Sequence, residues 1–374
     1  MDSAFSGLTA GTRPAEDEVQ VAVLGRGVGE SIVVHIGEDR WIVVDSFNMR
    51  DGDGLVVPAA LHYLDSIGVG MDRVVALVIS HFDIDHVRGA SRLFAETARD
   101  ARLVLSGAMA AREFLAHLRL ADRPGKGGDA GVRELRTLLA LIDPPGTGGR
   151  VLERCRRDQS LLRNLQGGSL TPTTYGMAPC EDTITEFTAQ VAPILAGNAP
   201  QTLPRPLLNR ASAAIHLQVG DRAILLCGDL EHDDRIGSQD RGWGGALLPL
   251  HGNPATFVKL GHHGSQNGDH EDIWNRLTAA DCVVAAAPYT AQVDSLPTEA
   301  DIARIVSRGH TLYVAGATAT PTETIESGTL GDLSRAGVKV SRRKERPGAV
   351  VGTCSAIGDD AWVVTEYGST TAHR

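Results

Sequence analysis

The stretch LVISHFDIDHVRGA, residues 77–90, decides how the chain is read. An apolar run ends in Ser80, and His81, Asp83, Asp85 and His86 then fall within six positions. VVALVISH, residues 74–81, is nearly all apolar, which predicts a strand buried on both faces. In an extended segment side chains alternate, so His81, Asp83 and Asp85 are expected to point one way. His86 follows where the chain turns toward a helix starting near Gly89. Carboxylates and imidazoles crowded at a strand end are costly without a counter-charge. One or two divalent cations supply it. A helix cap at Asp85 would account for one carboxylate and leave the other three groups unexplained.

Working outward, three more polar groups follow apolar strands. LLCGDLE brings Asp229 after Cys227, itself read as a small buried residue. VKLGHHGS brings the adjacent His262 and His263, with Ser265 behind them. WIVVD ends in Asp45, a candidate acceptor for a metal-bound histidine. Strand ends of an α/β core line up along one edge, where ligand sites form. His81, Asp83, Asp85, His86, Asp229, His262 and His263 are therefore the ligand candidates. His62, His117, His216 and His270 read as packed, surface or turn histidines, and Ser341–Arg346 as a solvated basic face.

The rest of the chain has the layout of an α/β sandwich. Residues 1–18 read as a flexible tail. VQVAVLGRG is a strand, and SIVVHIGEDRWIVVDSF a hairpin. Strand–helix alternation then runs to about residue 122. The loop-like RPGKGGDAG, PPGTGGR and NAPQTLPRP mark residues 123–206 as an insertion with the character of a lid. A second hairpin, SAAIHLQVGDRAILLCGDL, opens another run of strands and helices. One domain is expected over residues 19–370.

Composition narrows the function classes. Hydrophobic residues make up 42% of the 374-residue chain, enough for a sizeable core. No apolar run reaches the ~18 residues of a membrane span, and the N-terminus shows no secretory pattern. Five scattered cysteines without a C-x-x-C fit free thiols in a cytoplasmic setting. A net charge of −10 gives no long-range attraction to duplex nucleic acid.

Taken together, these motifs resemble the metallo-β-lactamase superfamily. The likeness is greatest to the free-standing relatives of the hydrolase domain of bacterial DNA-uptake competence proteins (the ComEC type). ISHFDIDHVRGA matches that family's His-x-(His/Asp)-x-Asp-His motif, and VKLGHHGS its His-His-Gly-Ser. NRASAAIHLQVGDRAILLCGDLE is similar to its Asn-x-x-Ser strand pair and Gly-Asp motif. The resemblance implies a four-layer αββα fold with two divalent metal ions at one edge. His81 and Asp83 would bind one ion and Asp85 and His86 the other, with Asp229 bridging. One of His262 and His263 would complete a site. Asp45, Asn209, Ser212 and Ser265 would support these ligands. The chain departs from the family at four places. Asp83 replaces the commoner histidine. No middle histidine lies between His86 and Asp229. Leu296-Pro297 stands where relatives carry His-Pro, and Ser46-Phe47 follows Asp45. A weaker second site is the expectation.

The implied chemistry is hydrolysis. A coordinated divalent ion makes water a nucleophile near neutral pH. Asp85 would orient or deprotonate that water. The histidine of the 262/263 pair that is not a ligand would protonate the leaving group, so His263 joins Asp85 as a catalytic candidate. Asp83 adds a hard oxygen donor, favouring Mn²⁺ or Mg²⁺ while leaving Zn²⁺ compatible. The resemblance points to a phosphodiester, either a small nucleotide or single-stranded nucleic acid, with no membrane partner. Carbonyl-ester hydrolysis on the same fold, a non-catalytic metal-binding module and a homo-oligomeric state remain the alternatives.

Overall fold

The computed structural model describes residues 5, 7–8, 10–51, 53–120, 130–143, 147, 149–165, 168–195, 205–233, 241–246, 252–290, 295–316 and 347–374. Most of RPGKGGDAG and NAPQTLPRP, and all of the basic Ser341–Arg346 stretch, lie outside those residues.

The chain opens with β1 (Glu18–Gly25), β2 (Glu30–His35), β3 (Trp41–Val44), the small pair β4 (Asn48–Arg50) and β5 (Val56–Pro58), and α1 (Ala59–Ser66). Then come β6 (Val74–Ile79), α2 (Ile84–Val87), α3 (Ala90–Glu96), β7 (Arg102–Ser106), α4 (Arg112–Leu120), α5 (Ala130–Leu139) and β8 (Val151–Cys155). A second series follows: β9 (Ser160–Leu161), β10 (Thr173–Ala178), α6 (Glu181–Leu195), α7 (Arg205–Arg210), β11 (Ala214–Val219), β12 (Arg222–Leu226), α8 (Trp243–Ala246) and β13 (Ala255–Lys259). The chain closes with β14 (Thr278–Ala286), β15 (Tyr289–Thr290), β16 (Ser295–Leu296), α9 (Glu299–Val306), β17 (Leu312–Val314), β18 (Gly348–Ser355), β19 (Val363–Gly368) and β20 (Thr371–His373).

Two eight-stranded sheets result. One runs β19-β18-β1-β2-β3-β6-β7-β8, the other β20-β17-β14-β13-β12-β11-β10-β9. Strand alternation explains their stacking. On β2, Ile32 and Val34 face the opposite sheet while Val33 faces the helices. Phe257 and Val258 divide in the same way on β13. Three apolar layers follow: one between the sheets, one under α1, α3, α4, α5 and α6, and one outside the second sheet against α8 and α9. The fold is the expected four-layer αββα sandwich. Strands β3, β6, β7 and β8 are parallel in one sheet, and β12, β13, β14 and β17 in the other. Their carboxyl ends place Asp45, His81, Asp229 and His263 along one edge.

Two sequence expectations are corrected. The tail is not loose throughout: Phe5 and Leu8 are buried in the helix-side core, and Phe5 meets the Tyr63 ring edge-on at 5.9 Å. Residues 123–206 are not an appended lid. Their described part supplies β8 to one sheet and β9 and β10 to the other, and buries Leu135, Leu138, Phe187 and Val191 in the common core. The Gly- and Pro-rich borders mimic an insertion, but the amphipathic helices between them need the sheet to cover their apolar faces.

Candidate metal centre

After Ile79 the chain leaves β6 and turns, with Asp83 just before α2 and Asp85 and His86 in the first turn of that helix. A helical turn, rather than strand alternation, therefore sets Asp85 beside His86 and His263. Asp85 caps no helix: the cap position of α2 belongs to Asp83, whose side chain makes no capping bond. From the other sheet, Cys227-Gly228 carries Asp229 off the end of β12. Gly228 has φ 52°, and a Cβ there would lie 2.6 Å from Ser212 Oγ and 2.8 Å from both Ser80 Cβ and the Ala213 carbonyl, so only glycine fits. His262 and His263 also adopt left-handed backbone, at φ 43° and 54°, which turns the two rings apart.

The donors converge around Asp229. Its Oδ2 lies 3.3 Å from His86 Nε2, 3.6 Å from His263 Nε2 and 3.9 Å from His81 Nε2. Asp85 Oδ2 is 3.7 Å from both His86 Nε2 and His263 Nε2. A tetrahedral ion with ligands at about 2.1 Å has donor–donor edges of roughly 3.4 Å. Asp85, His86, Asp229 and His263 match that size. A second, wider set comprises His81, Asp83 and the shared Asp229, with His81 Nε2 3.9 Å from Asp83 Oδ2.

The donor atoms have the character of metal ligands. His81 Nε2, His86 Nε2, His263 Nε2 and Asp229 Oδ1 are buried without a hydrogen-bond partner. Such orphans are costly unless something else satisfies them. Their Nδ1 atoms, by contrast, are all engaged. His86 Nδ1 donates to Asp45 Oδ2 at 2.8 Å and His263 Nδ1 to the Ala287 carbonyl at 3.1 Å. His81 Nδ1 meets Ser80 Oγ at 3.1 Å, and that hydroxyl donates to Asp45 Oδ2 at 2.6 Å. These bonds hold the Nε2 lone pairs toward the centre, as a metal site requires.

Glu30 is the residue that sequence reasoning missed. With His86, Asp229 and His263 it offers ligand atoms within 4.8 Å of one another. Its oxygens, however, approach His86 and His263 at Nδ1, at 3.7 and 3.3 Å. An ion bound at the Nε2 atoms lies on the far side of both rings, so Glu30 stands behind the imidazoles, and Asp85 is the better fourth donor.

The remaining candidates fall into place around this core. Ser212 Oγ accepts from the Asp229 amide at 3.0 Å. His262 is turned away from the donors: Nδ1 meets Glu231 Oε1 at 2.9 Å and Asn267 Oδ1 at 3.0 Å, and Nε2 lies 3.5 Å from Asn209 Nδ2. Asn209 donates to Glu231 at 2.8 Å, and Ser265 Oγ bonds Asn267 Oδ1, so both frame His262 rather than the ligands. Burial alone would lower the His262 pKa, but the bond to Glu231 and the Asp229 charge outweigh it and raise it to about 9. Burial likewise opposes ionisation of Asp229, yet the His86 and His263 charges hold its carboxyl well below the usual range. Asp83 is raised, chiefly by burial.

Residues 24–161 match the family model of the metallo-beta-lactamase superfamily. The matched segment holds Glu30, Asp45 and the whole His81–His86 motif. Similar solved structures include the metallo-beta-lactamase fold protein YhfI from Bacillus subtilis, 14% identical, with 65% of this chain and 70% of that one covered and a TM-score of 0.32. A metallo-beta-lactamase HARLDQ motif mutant from Cronobacter sakazakii is 14% identical over 64% and 75% of the two chains, at 0.34. MEM-A1, a subclass B3 metallo-beta-lactamase from a soil metagenome library, is 11% identical over 70% and 84%, at 0.34. No curated protein matches the chain.

Proposed function

We propose that the protein is a two-metal hydrolase of phosphodiesters, acting on a nucleotide or single-stranded nucleic acid. The observation that carries this reading is the shared carboxylate: Asp229 Oδ2 lies within 3.9 Å of three imidazole Nε2 atoms that belong to two donor sets. Charge supports two ions. Glu30, Asp45, Asp83, Asp85 and Asp229 place five carboxylates around the centre, against the Lys259 ammonium and the Arg205 guanidinium. The excess negative charge is more than one dication offsets. Hard oxygen donors at Asp83, Asp85 and Asp229 favour Mn²⁺ or Mg²⁺, with Zn²⁺ accommodated by the histidines. The ions would supply Lewis acidity and an activated water.

The chain's own groups supply the rest. Asp83 and Arg205 lie at the open side, with Arg205 Nε 4.0 Å from Asp83 Oδ2 and its side chain 74% exposed. That guanidinium, within hydrogen-bonding reach of Tyr289, suits an anionic phosphoryl oxygen. Tyr289 stacks on His263 at 5.2 Å and holds its ring plane. Asp85, through the carboxylate oxygen not given to the ion, would orient the attacking water. His263, expected as the acid, has its Nε2 among the donors, so the leaving-group proton would come from His262, which is protonated at neutral pH. The order of the Asp-containing His81–His86 motif, Asn209-x-x-Ser212, Gly228-Asp229 and His262-His263-Gly264-Ser265 supports the competence-type branch. Five free, buried cysteines support a cytoplasmic setting, and no helix among the described residues is long and apolar enough to cross a membrane.

The test is turnover of bis-p-nitrophenyl phosphate and a labelled single-stranded oligonucleotide with Mn²⁺ or Zn²⁺, beside lactone and thioester substrates. The expected result is phosphodiester hydrolysis that falls ~10²-fold or more in Asp229→Ala and His81→Ala. Turnover confined to the carbonyl esters would overturn the substrate class. Stoichiometric metal binding without turnover of any ester would overturn the enzyme.

A further inference from the structure

Beneath the donors lies an ion pair that the reaction does not use. Lys259 and Glu30 are both fully buried, at 0% exposure. Alternation explains how two charged side chains came inside. Lys259 shares the inward face of β13 with Phe257, and Glu30 shares the inward face of β2 with Ile32. The two therefore meet between the sheets, at the end of the apolar layer. Lys259 Nζ donates to Glu30 Oε1 at 2.5 Å and to the Gly228 carbonyl at 3.1 Å. The His262 amide donates to that same carbonyl at 3.1 Å. Glu30 Oε2 has no hydrogen-bond partner and faces His263 Nδ1 at 3.3 Å. A buried ion pair is a poor source of stability, because desolvation offsets most of the attraction. Its position, between the turn carrying Asp229 and the backs of two ligand rings, is what needs explaining.

We propose that Lys259 and Glu30 are positioning residues of the metal centre. Acting as one unit, they fix the Asp229 turn of one sheet against His86 and His263 and so set metal affinity and coordination geometry. The inference rests on the metal-centre reading above. It differs in sign from a simple charge effect. Removing a cation from beside a bound dication should tighten binding if Lys259 acted only through its charge. Removing a strut should loosen it.

The experiment is Co²⁺ titration of the metal-stripped full chain, followed by visible absorption, for wild type, Lys259→Met, Glu30→Gln and the double variant. Thermal unfolding of each metal-free protein serves as the folding control. Each single variant is expected to bind Co²⁺ ~10–100-fold more weakly, with shifted d–d bands, as loss of a ligand's supporting partner does. The double variant should fall well short of the product of the two effects, because one unit is being removed twice. Affinities and bands equal to wild type, tighter binding, or fully multiplicative effects would overturn the proposal. Glu30→Gln keeps the side-chain shape but exchanges the ionic bond to Lys259 for a neutral one. If Lys259→Met fails to fold, the d–d bands of Glu30→Gln decide, because loss of an anion weakens binding through charge alone without changing coordination geometry, and wild-type bands there sink the idea. A wild type that binds no Co²⁺ overturns the metal centre itself, a separate failure.

Discussion

Asp45 shows how one side chain can govern two ligands. It is fully buried, and its left-handed backbone, φ 58°, is one that Asp tolerates better than most residues. Oδ1 accepts from the Ser80 amide at 2.7 Å, while Oδ2 takes the Ser80 hydroxyl and His86 Nδ1. In Asp45→Asn the Ser80 amide still needs the oxygen, so the NH₂ group faces His86 Nδ1. The imidazole must then carry its proton on Nε2, the atom a metal needs. Metal affinity should drop ~10–100-fold with the fold intact, read by metal content after equilibration at limiting Mn²⁺ or Zn²⁺. Wild-type metal content in that variant would show that Asp45 does not set the tautomer. Asp45 was legible in the sequence because it directly follows an apolar strand, and His81, Asp229 and His263 because they come shortly after one. Glu30 and Lys259 were not, because a single charge within a strand ordinarily faces solvent. Only the stacking of the two sheets shows that both of these face inward. The choice between His262 and His263 was equally closed to sequence, since it depends on consecutive positive φ angles that turn the rings apart.

At the scale of elements, the strands that end in ligands were readable, because strands buried on both faces leave long apolar runs. The segment between the halves was not. Its strands β8, β9 and β10 are short or partly exposed, and its borders are rich in glycine and proline, so loop signals outweighed strand signals. The structure makes a distinct claim about this segment. Helix α6 packs on α4 through Phe187, whose ring lies 5.4 Å from Phe114 in a T-shaped contact. Phe114 in turn meets Phe82, which stands between His81 and Asp83. Phe187→Ala should therefore lower unfolding stability by about 3–5 kcal/mol, measured by the shift in denaturant midpoint. A detachable lid would lose almost nothing. An unchanged midpoint would return residues 123–206 to the status of an insertion.

Across the whole molecule, the centre joins the two sheets, beside the apolar layer and the Lys259–Glu30 pair that lie between them. His81, Asp85 and His86 come from the first sheet, and Asp229 and His263 from the second. The chain between His86 and Asp229 spans more than a third of the sequence, so the unfolded state cannot present these donors together. An ion that binds only the folded arrangement stabilises it by mass action, by about 4 kcal/mol when free metal exceeds its dissociation constant a thousandfold. Adding Mn²⁺ or Zn²⁺ to chelator-treated protein should raise the unfolding temperature progressively with metal concentration. Asp229→Ala should abolish that rise, because it removes the carboxylate shared by both donor sets. Phe187→Ala should start from a lower unfolding temperature yet keep the full metal-dependent increment, since its contact lies in the helix-side core and not among the donors. Loss of the increment in both variants would mean that metal acts through general stability, and the bridge between the sheets would have to be abandoned. Loss in Asp229→Ala alone is the pattern that a site clamped across the sandwich requires.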